Sequence, residues 1–227
     1  MIRLSPELVK AKSLQAIVFI ALESHRLRPG TSVLKRMHIL LASTSASRRA
    51  LLMRLGLAFE CMAPGSDETP LPHETPAALV KRLAAAKANA VAQQHSESLV
   101  IGGDQVAALD DKILGKPGDH VHAAQQLTAL SGRTAIFHTG LCVQHAASGR
   151  ELLHVDVTQV HFRKLTAPEI ERYLQAEQPY ACAGSFKSEG LGISLFERID
   201  SQDPTALVGL PLITLCRFLR ELGVSLP

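Results

Sequence analysis

The chain has 227 residues, of which 46% are hydrophobic and 20% charged, and its net charge is +3 when the ten histidines are neutral. This composition is typical of one globular domain with a sizeable core, and it excludes a disordered chain, a collagen-like repeat and a disulfide-stabilised miniprotein. The small charge excess and an aromatic content of 4% without tryptophan argue against a nucleic-acid-binding module, which needs basic patches and stacking side chains.

The first 36 residues differ in composition from the rest of the chain. Their apolar run, residues 16–22, is far shorter than the roughly 20 residues that a membrane span needs, and no convincing signal-peptidase site follows it. Met37 stands directly before a strand-like run. We therefore predict an N-terminal extension over residues 1–36, with at most a weakly packed helix and with Met37 as the expected natural start, and one domain over residues 37–227.

The four cysteines lie far apart and form no C-x-x-C pair: Cys61, Cys142, Cys182 and Cys216. This spacing favours reduced thiols over disulfides or a zinc site. With no membrane segment expected, the sequence predicts a cytoplasmic protein.

The first half of the predicted domain alternates strand and helix. Apolar spacing, capping hydroxyls, proline and glycine set the expected boundaries. The predicted elements are a strand over 39–42, a helix capped by residues 43–45 that ends near Leu55, a helix opened by Thr75 and Pro76, and a strand over 99–101 that ends at Gly102 and Gly103.

The second half adds a long hairpin and more helices. The predicted elements are a helix between Asp119 and Gly132, paired strands over 134–144 and 151–162, a helix from a capping box at Thr166 to near Pro179, a strand over 191–198, and a last helix over about 205–222 around Pro211. The expected fold class is therefore α/β, with a mixed twisted sheet, flanking helices and a long antiparallel hairpin.

A phosphate site is the first chemical hypothesis. Residues 40–49 read as a strand, a hydroxyl-rich turn that contains Ser43 and Ser47, and a helix start with Arg48 and Arg49. Hydroxyls, free amides and arginines all favour a bound phosphate. A serine-rich helix cap with solvated arginines is the alternative interpretation of the same stretch.

Carboxylates supply the second hypothesis. Glu68 lies in a loop rich in proline and glycine, and Asp104 follows an apolar strand and two glycines, at a position where open α/β sheets bind ligands. Such carboxylates can hold Mg²⁺ or accept a proton from an attacking water. Lys87 and Lys116 would add positive charge, whereas the alternative is ordinary turn chemistry with solvated lysines.

The loop over residues 183–190 is the third candidate. Its glycines allow the backbone to approach a flat ligand, and Glu189 could accept hydrogen bonds from the edge of a nucleobase. A surface turn is the alternative.

Six segments occur in a specific order along the chain: 41–49 (LASTSASRR), 66–69 (SDET), 101–106 (IGGDQV), 115–117 (GKP), 183–190 (AGSFKSEG) and 203–211 (DPTALVGLP). Together they resemble the Maf family of nucleoside triphosphate pyrophosphatases, and the residues of segments 115–117 and 183–190 are similar to those of the YceF-type branch that acts on 7-methyl-GTP. The resemblance extends from about Met37 through the C-terminal helix, and it implies a Maf/inosine-triphosphatase-like fold.

The resemblance implies hydrolysis between the α- and β-phosphates with a divalent cation, Mg²⁺ or Mn²⁺, in a homodimer with a small nucleotide as substrate and no nucleic acid. Asp104 matches the position of the family's proton acceptor and, with Glu68, would hold the metal. Basic and polar positions that would neutralise the triphosphate correspond to Ser43, Arg48, Lys87 and Lys116. Positions associated with base choice correspond to Ser47, Gln105 and Glu189.

Two other functions remain open at this point. The chain could be a dTTP and UTP pyrophosphatase of the same family, although that branch carries glutamine where this chain has Glu189. It could also be a nucleotide-binding regulator of cell division that does not catalyse a reaction. A protein that only binds nucleotides needs no general base, so the presence of Asp104 and Glu68 favours an enzyme.

Overall fold

The computed structural model describes residues 37–110 and 112–227. The predicted N-terminal extension, residues 1–36, and its expected helix lie outside the described residues. No helix in the described part of the chain is long and apolar enough to cross a membrane.

The described residues contain seven strands and five α-helices, joined by loops and short 3₁₀ turns. The strands are β1 (Ile39–Ala42), β2 (Glu60–Cys61), β3 (Leu99–Leu109), β4 (Lys112–Leu114), β5 (Thr134–His145), β6 (Arg150–Phe162) and β7 (Phe196–Asp200). The helices are α1 (Ala46–Met53), α2 (Pro76–Ala92), α3 (His120–Leu130), α4 (Ala167–Glu177) and α5 (Leu212–Glu221). The α/β class and the long β5–β6 hairpin are as predicted.

Capping residues set the starts of α2 and α4 where the sequence predicts them. The Thr75 side chain accepts a hydrogen bond from the backbone N–H of Ala78. Pro76 occupies the first turn of α2, where a backbone N–H would have no acceptor within the helix, so its missing N–H costs no hydrogen bond. Thr166 and Glu169 form the predicted reciprocal capping box at the start of α4. These local signals need no tertiary contact, which explains why they can be read from the sequence.

The seven strands form one mixed sheet in the order β2-β1-β3-β5-β6-β7, with β4 also paired to β3. β1 runs parallel to β3 and pairs with residues 99–102, whereas β4 runs antiparallel and pairs with residues 107–109 on the same side. Among the described residues, residues 103–106 therefore pair with β5 only. This gap between β1 and β4 opens one side of the sheet at Asp104 and Gln105.

The prediction that a strand ends at Gly102 and Gly103 is wrong, because β3 continues through both glycines to Leu109. A Cβ atom on Gly102 would lie 2.2 Å from the carbonyl oxygen of Ala84 in α2. Gly140 of β5 faces the same helix, with a corresponding distance of 2.2 Å to the carbonyl oxygen of Val80. The glycines mark the close approach of α2 to the sheet rather than a turn.

Two further boundaries differ from the prediction. Residues 191–195 form a 3₁₀ turn, and strand β7 starts only at Phe196. The last helix starts at Leu212 instead of about residue 205, because Gly209 has a φ of 123° and Pro211 provides the N-cap. The segment before it is a loop with a short 3₁₀ turn, and this loop contacts the site described below.

Helices cover both faces of the sheet. α2 packs on one face through small side chains, among them Ala84 and Ala88. α1 and α5 pack on the other face through larger ones, among them Leu52 and Leu215. Because the small side chains bring α2 close to β3, polar groups on the two elements come into direct contact.

Candidate active site

A cleft of about 570 Å³ opens at the gap between β1 and β4, and all nine predicted site residues line it. These are Ser43, Ser47, Arg48, Glu68, Lys87, Asp104, Gln105, Lys116 and Glu189. Asp104 lies within β3 rather than after its end, which corrects the sequence-based placement. The structure thus brings together residues that are up to 146 positions apart in the chain. Their chemical roles stay predictions.

The centre of the cleft is a lysine between two carboxylates. Lys87 Nζ lies 2.7 Å from Asp104 Oδ1 and 2.7 Å from Glu68 Oε1. Lys87 and Asp104 are both buried, whereas the Glu68 side chain is mostly exposed. Burial raises the pKa of Asp104 above its ordinary value, against the opposing effects of Lys87 and Arg48. A carboxylate with a raised pKa is a better proton acceptor than an exposed one.

An arginine fork holds the loop that carries Glu68. Arg82 of α2 binds both carboxylate oxygens of Glu74 at 2.7 Å, and it donates to the carbonyl oxygen of Thr69 at 3.1 Å. Glu68 and Thr69, which are adjacent in the loop, are therefore each bonded to α2. Sequence reasoning missed Arg82 and Glu74, because their pairing across eight positions joins a helix to an irregular loop.

The turn before α1 and the first residues of α1 contribute polar groups to the cleft. Ser45 caps α1 by accepting a hydrogen bond from the backbone N–H of Arg48. Ser43 Oγ, which is buried, accepts from the Ser45 N–H at 3.1 Å and from the Arg48 guanidinium at 3.4 Å. Arg48 Nε also donates to the carbonyl oxygen of Gly209 at 2.9 Å. The guanidinium is thus held in place beside the Asp104 carboxylate, whose charge it stabilises.

Gln105 has a fixed orientation. Its amide nitrogen donates to the carbonyl oxygens of Ala206 at 2.8 Å and Leu207 at 3.1 Å, and to Thr139 Oγ1 at 2.9 Å. Thr139 Oγ1 itself donates to the Ala206 carbonyl at 3.0 Å, so it can only accept from Gln105. Rotating the amide by 180° would place its oxygen against two carbonyl oxygens. Gln105 therefore offers the cleft its carbonyl oxygen, a hydrogen-bond acceptor.

The other wall of the cleft is the loop after α4. Its residues Lys187 and Glu189 line the cleft, as does Lys116 from the turn that follows β4. Lys187 lies in the segment 183–190 that resembles the family, but the sequence alone predicted no role for it. The lining includes four cationic side chains and three carboxylates, and the cationic side chains can bind the oxygens of a phosphate ligand.

The residues present fit a hard divalent cation bound together with a substrate. Two carboxylates already face one cation, the Lys87 ammonium. Among the described residues, no three His, Cys, Asp or Glu side chains gather into a metal cluster. Mg²⁺ is commonly held by only one or two carboxylates, with substrate phosphates and water completing its shell. Glu68 and Asp104 would supply those two protein ligands.

The part of the chain that contains this cleft matches known proteins. A family model described as "Maf-like protein" matches residues 38–222. The chain is 58% identical over 189 residues to a 7-methyl-GTP pyrophosphatase of Xanthomonas oryzae pv. oryzae, which covers 83% of this chain and 98% of that protein. It is 54% identical over 185 residues to a 7-methyl-GTP pyrophosphatase of Nitrosococcus oceani, covering 82% of this chain and 93% of that protein.

A solved structure, titled as that of a HAM1 protein from Coxiella burnetii, superposes on the chain with a TM-score of 0.47. The sequence identity is 15%, and the superposition covers 82% of this chain and 99% of that one.

Proposed function

The chain belongs to the Maf family, and on this premise we propose that it hydrolyses 7-methyl-GTP to 7-methyl-GMP and pyrophosphate. Such a reaction removes a modified nucleotide from the cell. The observation that carries the proposal is the buried contact between Asp104 and Lys87 in a cleft that also contains Arg48 and Lys116. It combines a proton acceptor with the positive charge that a triphosphate requires.

Asp104 acts as the general base in this proposal. Water attacks the α-phosphorus of the anhydride between the α- and β-phosphates, and the carboxylate takes the proton that the water loses. The bridging P–O bond breaks, and pyrophosphate leaves. Arg48, Lys87 and Lys116 neutralise the charge that develops on the phosphate oxygens, which is where fixed cations accelerate phosphate chemistry most. Ser43 keeps the Arg48 guanidinium oriented.

A divalent cation completes the proposed site. Glu68 and Asp104 would bind Mg²⁺ or Mn²⁺, which would neutralise part of the triphosphate charge when bound. The Lys87 ammonium, which contacts both carboxylates in the described structure, would then face the phosphates instead. The Arg82 fork keeps the Glu68 loop in place during that exchange.

The base end of the cleft favours a guanine that is methylated at N7. Methylation makes the ring cationic, and the exposed Glu189 carboxylate attracts such a ring more than a neutral one. The carbonyl oxygen of Gln105 can accept a hydrogen bond from an N–H group of the base, which guanine presents at ring atom N1 and at its exocyclic amine. Ser47 lines the same cleft, and we place it near the base on the family resemblance alone.

Pyrophosphate release from 7-methyl-GTP, GTP, dTTP, UTP and CTP, each with Mg²⁺ or Mn²⁺, tests the proposal. The expected result is turnover of 7-methyl-GTP far above the others, and loss of this turnover when the metal is chelated. Preferred turnover of dTTP and UTP would keep the reaction type but reject the substrate. Tight binding without any release would favour the regulator instead.

A further inference from the structure

Glu189 has an oppositely charged neighbour that does not neutralise it. Lys187 lies two residues earlier in the same loop, and both side chains line the cleft. The Lys187 ammonium is turned to Glu177 of α4, with 3.2 Å between Nζ and Oε1. Within the described residues Glu189 forms no ion pair, and its carboxylate accepts only a hydrogen bond of 3.3 Å from the hydroxyl of Ser188.

Glu177 is itself held firmly in place. Its Oε2 atom accepts a hydrogen bond of 2.8 Å from the backbone N–H of Leu191, and its side chain is only 16% exposed. A Cβ on Gly190 would lie 2.6 Å from the same oxygen, so the loop backbone packs directly on this carboxylate. The Leu191 hydrogen bond and the Lys187 charge lower the pKa of Glu177, which keeps it ionised at neutral pH.

The loop is fastened to α4 at a third point. The hydroxyl of Tyr173 accepts a hydrogen bond of 3.1 Å from the backbone N–H of Lys187. The loop is therefore bound to the last turns of the helix at Lys187 and at Leu191, which flank Glu189 in the chain. Without Glu177, the flexible four-carbon side chain of Lys187 could rotate toward the Glu189 carboxylate.

We infer that Glu177 is a positioning residue for base selection: by holding Lys187, it leaves the Glu189 charge available to a ligand with a cationic ring. This inference rests on the proposed function, since it concerns how the same cleft prefers a methylated, positively charged base. A Lys187–Glu189 pair would neutralise the carboxylate and present a neutral edge to the ring, which attracts cationic and neutral bases alike.

The test is a Glu177→Gln variant, because glutamine keeps an acceptor for Leu191 but loses the charge that holds Lys187. The preference for 7-methyl-GTP over GTP, measured as the ratio of the two kcat/KM values, should fall about two- to tenfold, through KM. Adding Lys187→Met should restore the preference, because the neutralising ammonium is gone. Glu171→Gln, six residues earlier on α4 and bonded to His120, is the matched control and should leave the ratio unchanged.

The preference is also measured in binding, as the ratio of the Kd values of GMP and 7-methyl-GMP from calorimetric titrations. This second measurement does not depend on turnover. A preserved preference in Glu177→Gln overturns the inference and leaves the proposed function intact. A preference lost in Glu177→Gln and not restored by Lys187→Met also overturns it, since Glu177 would then act only through the fold. A wild-type protein without any preference for the methylated nucleotides rejects the proposed substrate and the inference together.

Discussion

The ammonium of Lys87 lies 2.7 Å from a carboxylate oxygen of Asp104, and both side chains are buried. The contact exists because α2 approaches β3 closely enough for its backbone to lie over Gly102. Removing one partner of a buried charge pair is strongly destabilising when the remaining charge has no other partner. Glu68, which also contacts Lys87, provides the ammonium with a second carboxylate.

Replacing Asp104 with asparagine should abolish turnover while leaving the fold intact. The substitution is nearly isosteric and removes the proposed base, so we expect pyrophosphate release to fall about 10²- to 10⁴-fold. Lys87 keeps Glu68 as a partner, and the melting temperature should therefore change little. The measurement is release from 7-methyl-GTP beside a melting curve of the same preparation. Near-normal turnover would remove Asp104 from the mechanism.

Replacing Glu189 with glutamine should weaken the preference for the methylated base more than it slows the reaction. The carboxylate lines the cleft without an ion-pair partner among the described residues. We expect the ratio of kcat/KM for 7-methyl-GTP and GTP to fall about two- to tenfold, and the wild-type ratio to decrease at high salt. Glu197→Gln, an exposed residue of β7, is the matched control. An unchanged ratio would contradict the assignment of Glu189 to the base.

Helix starts and the hairpin were predictable because their signals are local. Thr75 with Pro76, and Thr166 with Glu169, satisfy the backbone of their own first turns. That the nine candidate residues line one cleft was predictable for another reason, namely that six ordered segments resemble one family. Neither kind of signal depends on knowing which elements touch.

The errors and omissions concern contacts between distant elements. Gly102 indicates a turn when only its neighbours in the chain are considered, whereas in the structure it makes room for α2. Pro211 sits inside an apolar pattern, but its ring and missing N–H prevent a helix from continuing through it, so α5 starts at Leu212. The pairing of Lys187 with Glu177 likewise depends on how the loop folds back on α4.

Replacing Asp156 with asparagine should stabilise the protein at neutral pH. Asp156 is buried in β6, where burial and the nearby Asp203 raise its pKa above the ordinary value of 3.8. Since the folded-state pKa is the higher one, the fold favours the protonated form, and its stability decreases as pH rises from the unfolded to the folded pKa. Asparagine keeps an acceptor for the hydroxyl of Thr158, which lies 3.4 Å from the carboxylate.

The melting temperature of Asp156→Asn should therefore exceed that of the wild type at about pH 7.5, and the difference should shrink toward about pH 4. Asp200→Asn is a control of opposite sign, because a hydrogen bond to His161 lowers the pKa of Asp200. The Asp200 carboxylate stabilises the fold above its ordinary pKa of 3.8, and this stabilisation is lost as pH falls through its lowered folded-state pKa. A difference between Asp156→Asn and wild type that does not vary with pH would contradict the raised pKa.

Replacing Gly102 with alanine should destabilise the fold and slow the reaction together. The new Cβ would lie 2.2 Å from the carbonyl oxygen of Ala84 and 2.7 Å from the backbone nitrogen of Ala88, so α2 must move away from β3. Overpacking of this kind costs about 1–3 kcal/mol, or roughly 2–4 °C of melting temperature for each kcal/mol. Because Lys87 is on α2, its contact with Asp104 should lengthen and kcat should fall. Gly115→Ala is the control for the melting temperature, because a Cβ atom on Gly115 would have no atom beyond its chain neighbours within 4 Å. A Gly102→Ala protein as stable and active as the wild type would show that α2 can shift without disturbing the site.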